Sequence, residues 1–138
     1  MVKPRLLVAV VDDEECVRKA LRRLFRSAEF DVQTYAAGRD FLDSIKARVP
    51  DCLVLDLHLP GLTGLEVLQH LRQDAWRLPV VVITGKDEPG LRESALANGA
   101  NEYLLKPLDD QTLLNAVATA VRLNRTPSGG PQDPSKQN

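Results

Sequence analysis

Four unbroken apolar runs, separated by segments of helical period, constrain this sequence more than any other feature. They are Leu6–Val11, Cys52–Leu55, Val80–Ile83 and the short Tyr103–Leu105. Continuous runs of this kind suit strands buried on both faces, as in a parallel sheet covered by helices on either side. A fifth segment, Asp31–Tyr35, alternates polar with apolar residues and suits an edge strand.

Between the runs the spacing turns helical. Val17, Ala20, Leu21, Leu24, Phe25 and Ala28 mark one apolar stripe, and Phe41, Leu42 and Ile45 a shorter one. Thr63 followed by Glu66 reads as a capping box ahead of Leu65, Leu68 and Leu71. Pro89 can open a helix running through Leu96, with Gly99 closing it. Leu113, Leu114, Val117 and Val121 define a last helix, with Asp109 or Asp110 near its N-cap. A strand–helix unit repeated five times predicts an α/β, doubly wound domain with short connections.

At 138 residues one domain is the natural count, and residues 1–125 supply it. Residues 126–138 contain three prolines, two glycines and no large apolar side chain, so a disordered tail or linker stub is expected there. The net charge of -1 leaves no excess positive potential for a nucleic-acid backbone, and direct nucleic-acid binding is not expected. The longest apolar run is far short of a membrane span, and too few residues precede it for a signal peptide. Two cysteines, Cys16 and Cys52, form no metal or disulfide framework, and the expected setting is the reducing cytoplasm.

The polar residues then fall in one place. Asp12 and Asp13 follow the first apolar run, Asp56 the second, Thr84 the third and Lys106 the last. These are strand carboxyl ends, the edge where open α/β sheets bind ligands. Any one of them could be a loop charge, and Asp13 alone could cap the first helix. Together their chemistry is complementary. Converging carboxylates repel one another, which a hard cation such as Mg²⁺ relieves while keeping sites free for phosphoryl oxygens. Lys106 offers a point charge for phosphate, Thr84 a hydroxyl donor, and Asp56 a carboxylate able to act as nucleophile.

The residues that carry this pattern also resemble a known family. Val11-Asp12-Asp13-Glu14, Leu55-Asp56-Leu57-His58-Leu59-Pro60-Gly61, Thr63-Gly64-Leu65-Glu66, Val82-Ile83-Thr84-Gly85, Asn98-Gly99-Ala100 and Tyr103-Leu104-Leu105-Lys106-Pro107 resemble the receiver domain of two-component response regulators. The likeness covers about residues 5 to 123. The Thr34-Tyr35 and Ile83-Thr84-Gly85 wording looks most like the FixJ-like branch. The resemblance implies a flavodoxin-like (βα)5 fold with strand order 2-1-3-4-5 and helices on both faces. It implies Asp56 as phosphoacceptor from a phosphohistidine of a histidine kinase or histidine phosphotransfer protein. It also implies Asp13 and Asp56 as direct Mg²⁺ ligands, Asp12 through water, and the main-chain carbonyl of His58 as a further ligand. Lys106 would pair with the phosphoryl group and Thr84 would hydrogen-bond it. Tyr103 would be the switch aromatic, turning inward as Thr84 moves, and the Lys106-Pro107 bond would be cis.

Leu59 stands where the family usually has Met, a nearly volume-conserving exchange. Cys16 is expected to be a small buried apolar residue, and the His58 and His70 side chains are not expected to be ligands. Trp76 is expected in a loop away from Asp56. The basic first helix, with Arg18, Lys19, Arg22, Arg23 and Arg26, reads equally as a docking face or as a solvated one. By family analogy, a homodimer formed on activation would use Leu91–Leu96, Tyr103 and the last helix. The output reads as an unknown downstream protein, a further domain, or a phosphate relay. Two rival functions remain: a phosphorylation-independent pseudo-receiver, which the intact acidic set disfavours, and a Mg²⁺-dependent phosphohydrolase using an Asp nucleophile.

Overall fold

The computed structural model describes residues 4–125. Five strands and five helices alternate. The strands are β1 Leu7–Val11, β2 Asp31–Tyr35, β3 Cys52–Asp56, β4 Val80–Thr84 and β5 Glu102–Leu105. The helices are α1 Glu15–Ser27, α2 Gly38–Ser44, α3 Gly64–Gln73, α4 Leu91–Ala97 and α5 Asp110–Arg125. Every strand pair is parallel, and the order across the sheet is β2-β1-β3-β4-β5. The doubly wound fold and the strand order expected from the sequence are both present.

The apolar runs become strands because both of their faces are covered. All residues of β1, β3 and β4 are buried, whereas β2 pairs only with β1 and keeps the alternation of an edge. Alternate residues feed two separate cores. Val8, Val10, Val54, Val81 and Ile83 pack with Leu21 and Phe25 of α1 and with Leu113, Val117 and Val121 of α5. Ala9, Val11, Leu53, Leu55 and Val82 pack on the other face with Phe41 of α2, Val67, Leu68 and Leu71 of α3, and Ala95 of α4. Each fully buried Leu, Val or Phe contributes roughly 1.5–3 kcal/mol of transfer free energy, so these two layers fix the sheet whose edge carries the site. Among the described residues no helix is long and apolar enough to cross a membrane.

The helix ends follow their local signals, with one correction. Thr63 and Glu66 form the full reciprocal capping box of α3. Asp109 accepts from the Thr112 amide at 2.9 Å and is the cap of α5. Gly99, at φ 103°, closes α4 through a pair of hydrogen bonds, Gly99 N–H to Leu96 and Ala100 N–H to Ala95, both 3.1 Å. This Schellman arrangement needs a left-handed residue, which glycine adopts without penalty. Pro89 does not open α4. The helix begins at Leu91, and Gly90, left-handed at φ 83°, intervenes and turns the chain into it. The expected tail at residues 126–138 lies outside the described residues.

Candidate functional site

The parallel sheet delivers its carboxyl ends to one edge, and the acidic residues meet there. Asp56 is the last residue of β3 and only 3% exposed. Its Oδ1 accepts the His58 main-chain N–H at 3.0 Å. The turn behind it is tight: Gly64 N–H bonds the Leu57 carbonyl at 3.1 Å. A Cβ on Gly64 would collide with the Asp56 main-chain carbonyl and the Leu57 Cα. The Thr63-Gly64 pair therefore lets α3 start directly against the strand that carries Asp56.

Asp12 follows β1 and is fully buried, so each of its polar atoms needs a partner. Its N–H bonds the Tyr35 carbonyl at 3.1 Å, and its Oδ1 accepts the Glu14 N–H at 2.9 Å. Its own carbonyl accepts from Arg18 at 2.8 Å, and its Oδ2 accepts from Lys106 Nζ at 2.8 Å. Asp13 is exposed at the mouth of the site, and the α1 cap position is held by Glu14 with no side-chain bond. Asp13 is therefore not the helix cap. One carboxylate oxygen from each of Asp12, Asp13 and Asp56 lies within 4.8 Å of the others. Among the described residues this is the one group of three acidic, His or Cys side chains set for a metal ion. Neither the His58 nor the His70 side chain belongs to it.

Lys106 closes the site from β5. Its N–H bonds the Thr84 carbonyl at 2.8 Å, and the bond to Pro107 is cis, as expected. Its ammonium also lies 3.6 Å from Asp56 and 3.5 Å from Glu14. Burial raises the Asp56 pKa above the ordinary carboxylate value. The His58 N–H bond opposes this, the Asp12 and Asp13 charges reinforce it, and Lys106 offsets it in part. For Lys106, burial alone would depress the ammonium. The hydrogen bond and charge of Asp12, with Asp56 and Glu14, outweigh burial, and the pKa rises.

Thr84 ends β4 and is fully buried, but its hydroxyl is not on Asp56. It donates to the Lys86 carbonyl and accepts the Lys86 N–H, each at 3.1 Å. Tyr103 is already inward, 6% exposed, with its hydroxyl on Asp87 Oδ1 at 2.8 Å and Arg92 over its ring. Burial, then the Asp87 bond, pushes its phenol up to about 12. The structure thus joins Asp12, Asp13, Asp56 and Lys106 directly, and holds Thr84 and Tyr103 one loop away.

Glu14, Arg18 and His58 are named in the sequence reading, but their contacts in the site are not foreseen there. Glu14 was visible as a third acid beside Asp12 and Asp13. The Arg18 bond to the Asp12 carbonyl and the His58 ring, which contacts Lys86 at 3.0 Å, had no sequence signal. Cys16 corrects an expectation: it is exposed, because it sits in the first turn of α1 beside the Val17/Leu21 stripe rather than on it. Of the basic residues on α1, Arg18 is spent on Asp12 and Lys19 faces Glu15 at 3.5 Å. Trp76 lies beyond α3, outside the acidic group, and packs partly buried on the α2/α3/α4 core.

Comparison with known proteins agrees with this geometry. The family described as "Response regulator receiver domain" matches residues 8–118. Nodulation protein W of Bradyrhizobium diazoefficiens is 37% identical over 121 residues, which is 88% of this chain and 53% of that protein. The phosphate regulon transcriptional regulatory protein PhoB of Rhizobium meliloti is 36% identical over 117 residues, 83% of this chain and 52% of that one. The chain therefore spans about half the length of the curated relatives it matches. Among solved structures, the response regulator StyR superposes with a TM-score of 0.78 at 36% identity, covering 88% of this chain and 61% of that one. A CheY-like receiver domain protein from Methanospirillum hungatei superposes at 0.83 with 19% identity, over 88% of this chain and 97% of that one, which supports the fold alone. With a family match across most of its length, and the fold and acidic pocket to accompany it, this chain belongs to the response regulator receiver domains of two-component systems.

Proposed function

We propose that this domain accepts a phosphoryl group on Asp56 from a phosphohistidine of a histidine kinase or a histidine phosphotransfer protein, and changes conformation in response. One observation carries the reading. Asp56 is a buried carboxylate within reach of two further carboxylates and, at 3.6 Å, of the Lys106 ammonium.

The donor set suits Mg²⁺. It is all oxygen, and its three carboxylates face one ammonium, leaving negative charge to be neutralised. Asp12, Asp13 and Asp56, with the main-chain carbonyl of His58, would hold the ion. When bound, it offsets carboxylate repulsion and the charge on phosphoryl oxygens. The remaining steps belong to the chain. An Asp56 carboxylate oxygen attacks phosphorus, the phosphorus–nitrogen bond of the donor breaks, and its electron pair returns to the donor imidazole. The product is an aspartyl phosphate. Lys106 is placed to pair with the added charge, since its ammonium already bridges Asp12 and Asp56. The Thr84 hydroxyl would leave the Lys86 carbonyl for a phosphoryl oxygen, and Tyr103 would respond at the adjoining position. A phosphoryl group that favours the turned arrangement shifts a two-state equilibrium.

Two surfaces suit partners. Cys16, Val17, Ala20, Leu21, Pro107 and Leu108 line a cavity of about 300 Å³ beside Lys106, which supports docking of a kinase or phosphotransfer helix there. On the other side Arg92, Glu93, Tyr103 and Leu105 line a groove of about 560 Å³, and the half-exposed Leu105 suits a downstream protein or a second copy. Two free cysteines fit a reducing cytoplasm.

The test is intact mass after incubation with Mg²⁺ and acetyl phosphate, beside an Asp56→Asn control. One added phosphoryl group, absent from the control and absent without Mg²⁺, is the expected result. A folded protein that gains no mass and also ignores the phosphoryl mimic beryllofluoride would be a binding module instead. Multiple turnovers of a small phosphomonoester would make it a phosphohydrolase.

A further inference from the structure

The proposed chemistry gives the His58 imidazole no task, yet the ring is tied to the loop that carries Thr84. Its Nε2 lies 3.0 Å from the Lys86 main-chain oxygen. A carbonyl only accepts, so Nε2 bears the proton and donates. The Thr84 hydroxyl donates to the same oxygen at 3.1 Å, and the Lys86 N–H returns to Thr84 Oγ1 at 3.1 Å. A carbonyl has two lone pairs, so both donors are satisfied together. The main-chain N–H of His58 meanwhile donates to Asp56 Oδ1 at 3.0 Å. One residue thus links the acceptor carboxylate, through its backbone, to the peptide on which Thr84 rests, through its ring.

We propose that His58 is a positioning residue: its imidazole latches the β4–α4 loop so that the Thr84 hydroxyl stays parked on the Lys86 carbonyl, away from Asp56. The inference rests on the phosphoacceptor reading only in requiring Thr84 to travel. To reach a group on Asp56, Thr84 must release Lys86, and the Lys86 peptide is also the one His58 holds. Each departure from the resting loop therefore breaks two hydrogen bonds at one oxygen. The adjoining Asp87 carries the Tyr103 hydroxyl at 2.8 Å, so the latched segment is also the one that fixes the aromatic ring. An exposed neutral hydrogen bond changes such an equilibrium by about two- to tenfold. His58 thereby sets how readily the unphosphorylated protein visits the switched arrangement.

Three variants test it. His58→Ala removes the ring, His58→Phe keeps the bulk without a donor, and His58→Gln keeps a side-chain N–H at similar reach. The first readout is solvent exchange of the Lys86 amide, by NMR, in unphosphorylated protein without Mg²⁺. Loss of the latch loosens the Lys86 N–H bond to Thr84, so exchange should quicken about two- to tenfold in the Ala and Phe variants and return toward wild type in Gln. The second is the beryllofluoride midpoint in Mg²⁺, which should fall by a similar factor in Ala and Phe and recover in Gln, with thermal midpoints unchanged. Lys86 exchange equal to wild type in both Ala and Phe overturns the latch. Wild-type protein that fails to respond to beryllofluoride overturns the phosphoacceptor reading instead, while the metal-free exchange still decides whether His58 holds the loop.

Discussion

Lys106 spans 94 residues of sequence to place its ammonium 2.8 Å from Asp12, while remaining 3.6 Å from Asp56. Among the described residues it is the cation that ion pairs join to Asp12, Glu14 and Asp56. Lys106→Ala should therefore destabilise the folded domain by about 2–4 kcal/mol at neutral pH. Mg²⁺ should restore more of that loss than it adds to wild type, because the ion takes over the neutralising role. Denaturant unfolding with and without Mg²⁺ reads both effects. The folded pKa of Lys106 is raised above its ordinary 10.5, so its contribution is complete below that value and lost as pH climbs through the folded value. A gap between wild type and variant that closes in the neutral range would contradict this assignment.

Asp56→Asn should do the opposite. The folded pKa of Asp56 lies above its ordinary 3.8, so the folded state binds this proton more tightly than the unfolded chain does. Its ionisation thus costs stability, absent below the ordinary value and complete once pH has risen past the folded one. The Asn variant avoids that cost while its amide oxygen can still accept the His58 N–H. It should be more stable than wild type at pH 7, with the gain vanishing in acid. Thermal unfolding across pH is the measurement, and an unchanged gain at low pH would count against charge repulsion as the cause.

Gly61, in the loop before α3, and Gly64, the first residue of α3, are glycines for different reasons. Gly61 sits at φ 73° with open space where a Cβ would go, so Gly61→Ala should cost about 1–2 kcal/mol from the left-handed backbone alone. Gly64 has no positive φ, but a Cβ there would strike the Asp56 main-chain carbonyl. Gly64→Ala must move either α3 or the end of β3, at about 1–3 kcal/mol. Only the second variant should also slow phosphorylation of Asp56. Equal phosphorylation rates in the two alanine variants would show that α3 yields without disturbing the strand.

The two thiols should react very differently. Cys52 is fully buried in β3, and burial pushes its pKa up to about 12, whereas Cys16 is exposed on α1. A disulfide reagent should modify one thiol in the native protein and both after unfolding. Kinase phosphotransfer measured after native labelling should slow, because Cys16 lines the cavity beside Lys106. Unaltered transfer would remove that cavity from the docking surface.

Much of this was legible from the order of residues because period and chemistry coincide. Val8, Val54 and Val81 belong to continuous runs, and a continuous run has few homes other than the middle of a covered parallel sheet. Once those strands are parallel, Asp12, Asp56, Thr84 and Lys106 must share an edge. What escaped notice depends on torsions and on distant partners. No spacing rule shows that the Thr84 hydroxyl rests on the Lys86 carbonyl, because that depends on torsions of the side chain and the loop and not on residue order. Arg18 reaches back six residues to the Asp12 carbonyl, a contact made by the angle between α1 and its loop. Cys16 was misplaced because its residue type favours burial while its helical phase does not.

The direction of α5 has a consequence for how any message can leave this domain. The helix starts just beyond the cis Lys106-Pro107 bond, at the acidic edge, and runs sixteen residues to Arg125. At 1.5 Å per residue that is about 24 Å, so the helix ends well away from the acidic edge at which it starts. The acidic edge and the end of α5 are separated by the length of that helix. A group added to Asp56 and the C-terminal end of α5 are thus joined through the scaffold between them, so displacement of that scaffold is one route by which the first can be felt at the second.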